Sequence, residues 1–442
     1  MFRLSSAEDL TPEIIKKMIN KFKLNELPRL AKLKNYYLNK TDILNRVQAD
    51  STKPNNKVVH PYAQYITDTL TGYFMGEPVS YSSDEDIEAL KLLFEYNDEQ
   101  NENMELAKNC SIYGKAWEYM YVDNDGSLRF TIMDSQEIIP IYGTTIDNDL
   151  VAVIRFYNDE DLATDKDYMI VEVYTDSQIM TYRTSQTVDN LDLISLVPHS
   201  FGTVPFVEYR NNDDMTGDFE GVMSLIDAYD TLVSDDLNDF EYFCDAYLAL
   251  YGYTADAEDV KEMKENRVLL MDEGTKAEWL VKSGDAAGVE QEKVRIENDI
   301  HKFSKTPNAN DKEFSSNTSG VAMKYKLLGT ENLGSIKERK FKKGLQRRLE
   351  MISNMFSLTK KPNFDWLGVE ITFTRNLPVN ELDTASLVRD LNGIVSKKTL
   401  VSQLSFVEDA DAEVEQLKAE REGSLFYAPT PAPKDEDEEE EN

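Results

Sequence analysis

The chain has 442 residues, of which 41% are hydrophobic and 29% charged, a size that allows two to four domains or one elaborated subunit. Its 82 Asp/Glu against 48 Lys/Arg leave a net charge of −34, the opposite of a protein that grips nucleic acid by neutralising phosphates. There is no run of 18 apolar residues. Residues 1–17 have neither an apolar core nor a small-residue cleavage site, so neither a transmembrane helix nor a secretory signal is expected. The two cysteines, Cys110 and Cys244, stand in apolar helix-like stretches without a CxxC, the pattern of buried thiols in a reducing compartment.

Residues 11–39 read as one helix, with Thr11 as N-cap and Pro12 at the first helical position. Residues 40–56 are polar, contain Pro54 and read as a loop. In 57–76, Tyr62, Tyr65, Ile66, Thr69, Leu70, Tyr73 and Phe74 recur at helical spacing, and two further helices are expected at 84–97 and 99–113. From Trp117 to about Tyr209 the pattern becomes an alternation of aromatic and β-branched residues. Strands are predicted in WEYMYVD and SLRFTIMD, either side of the turn Asn124-Asp125-Gly126. More follow at IIPIYG, LVAVIRFY, YMIVEVY, IMTYR and LDLISLV, with mainly antiparallel pairing.

Helix is predicted again over 218–251. Val222, Leu225, Ile226, Tyr229, Leu232, Val233, Leu237, Phe240, Cys244, Tyr247, Leu248 and Tyr251 step by three and four along one face. Unbroken, this helix would span roughly 50 Å. It carries nine acidic residues and no Lys or Arg. Strand candidates RVLLMD and EWLVK come next, then a helix at 286–304 and a polar loop at 306–319 in which Phe314 is the odd residue. Helices are expected at 320–331 and 334–357, a strand at VEITFT, and short helices at 380–395, 397–406 and 409–422. The end, APTPAPKDEDEEEEN, is proline-rich and acidic and is expected to be disordered.

Chemical motifs are sparse. Gly114-Lys115 lacks the upstream glycine and the following hydroxyl of a phosphate-binding loop, and no GxGxxG occurs. His60, His199 and His301 are far apart and outside any HExxH; His60, just before Pro61 at a helix start, reads as structural. The run Asp123-Asn124-Asp125-Gly126 is a poor calcium loop, because Tyr121 and Ile132 occupy its first and twelfth positions; a hairpin turn fits better. Acid pairs such as Asp235-Asp236 carry no specific signal among so many carboxylates, and no nucleophile elbow occurs. No catalytic residue, cofactor or metal site is predicted. The basic exception is the window holding Lys324, Lys326, Lys337, Arg339, Lys340, Lys342, Lys343, Arg347 and Arg348 against Glu331 and Glu338. These cations could meet DNA or an acidic helix of a neighbouring subunit, and the abundance of acid in the chain favours the second.

Five stretches then stand in a meaningful order: NKVVHPYAQYITDTLTGYFMGEPV, SIYGKAWEYMYVDNDGSLRF, GDFEGVMSLIDAYDTLVSDDLNDF, NDIHKFSKTPN and SGVAMKYKLLGTENL. Together they resemble the SPP1-type phage portal family, over roughly residues 20–425. The resemblance implies an α+β portal-protein fold with a helical stem, an α/β wing and clip and a helical crown, in a ring-forming subunit of a dodecamer around an axial channel. By segment it implies a wing over 1–217, a first stem helix at 218–251, a clip at 252–285 and a second stem helix at 286–305. A tunnel loop would follow at 306–319, a long wing helix and strand at 320–378 and crown helices at 379–424, leaving 425–442 as an acidic tail.

The implied tunnel loop holds Asn310, Asp311, Lys312, Glu313, Phe314, Ser315, Ser316 and Asn317. Phe314 could anchor that loop on a stem helix or sit at the constriction. The resemblance further implies a structural protein of the virion vertex, assembled in the bacterial cytoplasm, with no enzymatic activity, cofactor or membrane contact. Its partners would be copies of itself, double-stranded DNA of any sequence, the terminase motor, major capsid and scaffolding proteins, and the head–tail connector. A predominantly acidic wall suits such passage, since it avoids accumulating phosphate contacts. Two rivals remain at this stage. One is another structural virion protein such as a head–tail adaptor, against which the length and the helix–strands–helix–loop order argue. The other is a carboxylate-metal hydrolase, which would need a clustered His/Asp motif.

Overall fold

The computed structural model describes residues 2–48, 50, 53–161, 166–244, 247–251, 256, 258, 260–261, 274, 276–280, 286–308, 325–376, 381–404, 407 and 410–424. The chain divides into two compact units, Met1–Asn310 with Lys326–Asn376, and Asp311–Tyr325 with Leu377–Asn442.

The first unit opens with a short strand, β1 (Phe2–Arg3), followed by α1 (Pro12–Asn25) and α2 (Leu27–Tyr37). The Thr11 hydroxyl accepts from the Ile14 N–H at 3.4 Å, as a cap should. The single helix expected over 11–39 is two, because Pro28 has no N–H to continue the ladder and the chain breaks at Glu26. Next come α3 (Tyr62–Met75), β2 (Ser80–Ser82), α4 (Glu88–Tyr96) and α5 (Glu99–Tyr113). Ile15, Ile19 and Phe22 of α1, Leu30 and Leu33 of α2, and Ile66 and Leu70 of α3 are buried in one cluster.

β3 (Lys115–Val122) and β4 (Leu128–Met133) form the expected hairpin. Asp123 Oδ1 accepts from Asp125 N at 3.0 Å and Ser127 N at 2.8 Å, and Gly126 takes φ +78°, so the acidic run is a turn. β5 (Ile138–Tyr142), β6 (Leu150–Asp161), β7 (Lys166–Tyr174), β8 (Gln178–Thr184) and β9 (Asp192–Pro198) run antiparallel in sequence order. β1 lies parallel on the outside of β5, completing a six-stranded sheet. β10 (Phe206–Arg210) pairs with β3 in a second, three-stranded sheet. The large sheet is covered on one face by α1, where Phe22 meets Phe156 edge-on at 5.8 Å. Its other face meets the small sheet around Trp117, Val153, Tyr174 and Phe206.

The long helix expected over 218–251 is shorter. A 3-10 turn at Glu220–Val222 leads into α6 (Met223–Cys244), and Tyr247–Tyr251 is a strand, β11, paired antiparallel with β12 (Lys276–Leu280). The segment YLALY satisfies a helical stripe and a two-residue alternation equally, and the partner strand decides between them. β12 overlaps the expected EWLVK strand, whereas RVLLMD lies outside the described residues. α7 (Ala286–Ser304) falls where helix was expected. α8 (Leu328–Thr359) is one continuous helix of 32 residues, about 48 Å, where two were expected, and β13 (Glu370–Thr372) pairs with β2. Gly344 in α8 is required by packing: a Cβ there would sit 2.4 Å from the Tyr209 ring. Cys110 is a buried free thiol.

The second unit, taken by itself, holds α9 (Glu381–Leu391), α10 (Lys397–Val401) and α11 (Ala410–Ser424). Ser396 caps α10 by accepting from Thr399 N at 3.2 Å, and Leu400 is its buried contact.

Candidate functional site

The helix pair α6/α7 and the chain leaving it form the candidate site. The start of α6 is fixed by burial of Ile226 and of Val222 in the 3-10 turn before it, while Ile300 of α7 is fully enclosed in the same core. Its acids are used as hooks for the preceding loop. Asp230, with no exposed surface, accepts from the Thr41 hydroxyl at 2.7 Å and from both the backbone N–H and the ring of His60 at 2.9 Å. One turn on, Ser234 accepts from Val58 N at 2.9 Å, Asn238 from Asn56 N at 2.7 Å, and Asp235 pairs with Arg46 at 2.6 Å. Tyr36 donates to Asp227 at 2.6 Å. His60 thus has the structural role its position implied.

An aromatic knot then ties α3, α6 and α7. Tyr229 meets His60 at 4.6 Å and Tyr62 at 5.3 Å, both edge-on, and His301 meets Tyr65 at 5.6 Å. Burial pushes the Tyr62 phenol up and holds the His301 imidazole down. Asp236 of α6 accepts from Lys293 of α7 at 2.6 Å, and this hydrogen bond raises the ammonium's pKa.

The second half of α6 is different. Leu237 and Phe240 are 42% and 68% exposed, and Val294 of α7 is 47% exposed. Apolar groups recurring on a helix at this exposure are left uncovered by the described residues.

Beyond α7 the chain is clamped. Lys305 takes φ +58°, and its carbonyl accepts from Thr330 of α8 at 2.7 Å. The Thr306 carbonyl accepts from His301 Nδ1 at 3.2 Å, the Pro307 carbonyl from the Tyr65 hydroxyl at 2.8 Å, and the Asn308 side chain donates to Glu297 at 3.3 Å. Of the expected tunnel loop only Thr306, Pro307 and Asn308 are described; Asn310, Asp311, Lys312, Glu313, Phe314, Ser315, Ser316 and Asn317 lie outside the described residues. Sequence reasoning missed this clamp, since Tyr65 and Pro307 are 242 residues apart.

The basic window on α8 is mostly engaged inside the chain. Lys337 is buried against Asp218 and Asn211. Arg348 is wholly buried, paired with Glu118 at 2.6 and 2.9 Å, with Glu99 at 2.9 Å and with Asn103 at 2.8 Å. Neither DNA nor a neighbouring subunit can reach these two, which corrects both sequence readings for them: their counter-charges come from distant parts of this chain. Lys340 pairs with Asp213, Lys342 donates to the Ile371 carbonyl at 3.2 Å, and Arg347 pairs with Glu350 at 2.7 Å and Thr203. Arg339 and Lys343 point outward, one turn apart. Lys326 is half-buried, and Lys324 lies outside the described residues.

Around Arg348, Glu99 and Glu102 each keep one buried carboxylate oxygen without a hydrogen bond. Burial raises the Glu99 pKa and pushes Glu102, which also faces Glu118, up to about 7. Among the described residues, no group of three His, Cys, Asp or Glu could hold a metal ion, and no helix is long and apolar enough to cross a membrane.

A mixed α+β body carrying an acidic helix pair with unpartnered apolar residues is the architecture of an assembling subunit, and comparison with known proteins gives its class, the phage portal proteins. The family model described as "Phage portal protein, SPP1 Gp6-like" matches residues 16–425. Over 416 residues the chain is 26% identical to the portal protein of Bacillus phage SPP1, covering 88% of this chain and 80% of that one. Over 424 residues it is 26% identical to the portal protein of Clostridium phage phiCD119, covering 88% and 91%. The chain belongs to the SPP1 Gp6-like phage portal family. Its function is that of a phage head portal, a structural part in DNA packaging, and the family implies a homo-oligomeric ring at a capsid vertex.

Proposed function

We propose that twelve copies of this chain close into a ring whose axial channel passes double-stranded DNA of any sequence. The α6/α7 pair is the stem and α8 the long wing helix. The segment around β12 belongs to the clip that docks terminase and later the head–tail connector, and 379–424 is the crown. The segment from Thr306 to Ser319 is the tunnel loop, and major capsid and scaffolding proteins surround the wing. Assembly takes place in the host cytoplasm, the motor energy comes from a separate ATPase, and the portal itself does no covalent chemistry.

The observation that carries this reading is the exposure of the apolar side chains Leu237, Phe240 and Val294 on the α6/α7 pair. A stem of two helices can bury such residues only against copies of itself, in head-to-tail contacts that close. Negative-stain microscopy and light scattering of the purified chain test it, with rings around a central hole expected. Protein that stays monomeric across salt and concentration would overturn it.

A further inference from the structure

The six-stranded sheet ends on a strand without the usual protection. No described strand pairs with the outer edge of β9, and its aliphatic side chains are half in solvent: Leu193 54%, Ile194 51%, Leu196 52% and Val197 51% exposed. The register shows which way they face. Leu193 stands opposite Tyr182 and Leu196 opposite Met180, both on the α1 side, whereas Val197 stands opposite Ile179 on the side of the small sheet. Ile194 is the extra residue where the register shifts. Among the described residues both covering layers therefore run out before β9, and its aliphatic side chains are half exposed along both faces. Natural edges are blunted by charge, proline or brevity. This one is seven residues long, with only Asp192 at one end and Pro198 at the other.

We infer that β9 is an interface between neighbouring copies in the ring, extended by backbone from the β1 end of the next subunit. This rests on the ring reading above. A closed ring needs two unlike patches on opposite sides of each subunit. β9 and β1 are the two ends of one sheet, five strand spacings or roughly 24 Å apart. They also differ in charge: Asp192 is exposed on β9 and Arg3 is exposed on β1. Pairing would satisfy the outward backbone groups of β9 and cover aliphatics on both of its faces, the mode of recognition in which backbone gives affinity and alternate side chains give specificity.

The test is assembly of the full chain with Leu196→Lys and Val197→Lys combined, and separately with the milder Ile194→Ser. These side chains are already half in water, so a wild-type circular dichroism spectrum and melting temperature are expected. The ring-to-monomer midpoint should rise at least tenfold in concentration. Asp192→Arg should weaken assembly too, and adding Arg3→Glu should restore it. Folded variants that form rings at the wild-type concentration overturn the inference. So do variants whose rings are normal but fail to enter heads, which would make the occupant of β9 a head protein. A double charge reversal without recovery overturns the role of the β1 end. Wild-type protein that never leaves the monomer removes the ring reading, and this inference with it.

Discussion

Arg348 and Glu118, 230 residues apart in sequence, meet in a two-pronged pair at 2.6 and 2.9 Å with neither side chain exposed. The pair welds α8 to β3, while Glu99 at 2.9 Å and Asn103 at 2.8 Å bring in α5. The guanidinium also lies over the rings of Phe130 at 4.7 Å and Tyr209 at 5.6 Å. Around this polar centre Phe341, Leu345, Leu349 and Ile352 of α8 pack into the same core as Met120, Phe130 and Tyr209 of the small sheet.

Replacing Arg348 by Met should therefore cost about 3–5 kcal/mol, because two buried carboxylates lose their counter-charge. Urea denaturation monitored by tryptophan fluorescence measures it. Adding Glu99→Gln and Glu118→Gln should recover part of the loss. Arg339→Ala, on the exposed face of the same helix, should change stability by no more than about 0.5 kcal/mol.

Glu102 gives the cluster a pH dependence. Its folded-state pKa, about 7, lies above its ordinary value of 4.5, so between those values the folded chain holds a proton that the unfolded chain has lost. Stability from this group is thus present in full below pH 4.5 and lost as pH rises through 7. Glu102→Gln should stabilise the protein at pH 8 by about 1 kcal/mol, after allowance for its partial exposure, and by nothing measurable at pH 4.5. Equal effects at both values in paired thermal melts would count against this account.

Asp230→Ala should loosen the segment between Thr41 and His60 on α6, leaving it held by Ser234, Asp235 and Asn238. It removes one acceptor serving three donors in a closed site, at a cost of about 2–3 kcal/mol. Limited proteolysis should then cut within 41–58 at protease concentrations that leave the wild type intact.

In the proposed channel, Lys312→Ala or Phe314→Ala should leave the ring assembled and lower DNA packaging. Cross-linking residues 310–317 to α7 through introduced cysteines should block packaging more completely. Normal packaging by the cross-linked ring would remove this segment from the translocation path.

How much of this was legible beforehand depended on whether the signal was local. The hairpin at Asn124-Asp125-Gly126, the cap at Thr11 and the strands from β5 to β9 are written in adjacent residues, and they form where expected. The break at Glu26 was hidden because Leu24, Leu27 and Leu30 keep a helical rhythm across Pro28. The gap expected between 331 and 334 is closed in α8, where the ring of Tyr73 packs 3.3 Å from where a Cβ on Gly334 would be and the helix runs on. The fate of the basic window was not legible at all. Lys337 and Arg348 look like their exposed neighbours until Asp218 and Glu118 are brought to them by the fold. The clamp after α7 was invisible for the same reason.

That clamp has a mechanical meaning. Tension on the chain beyond Asn308 does not fall on one joint. It is shared at once by Tyr65 on α3, His301 and Glu297 on α7 and Thr330 on α8, through four separate polar contacts to consecutive residues. The chain leaves α7 from a bracket bolted to three helices, so a load applied there is delivered to the body of the subunit without first unwinding the end of α7.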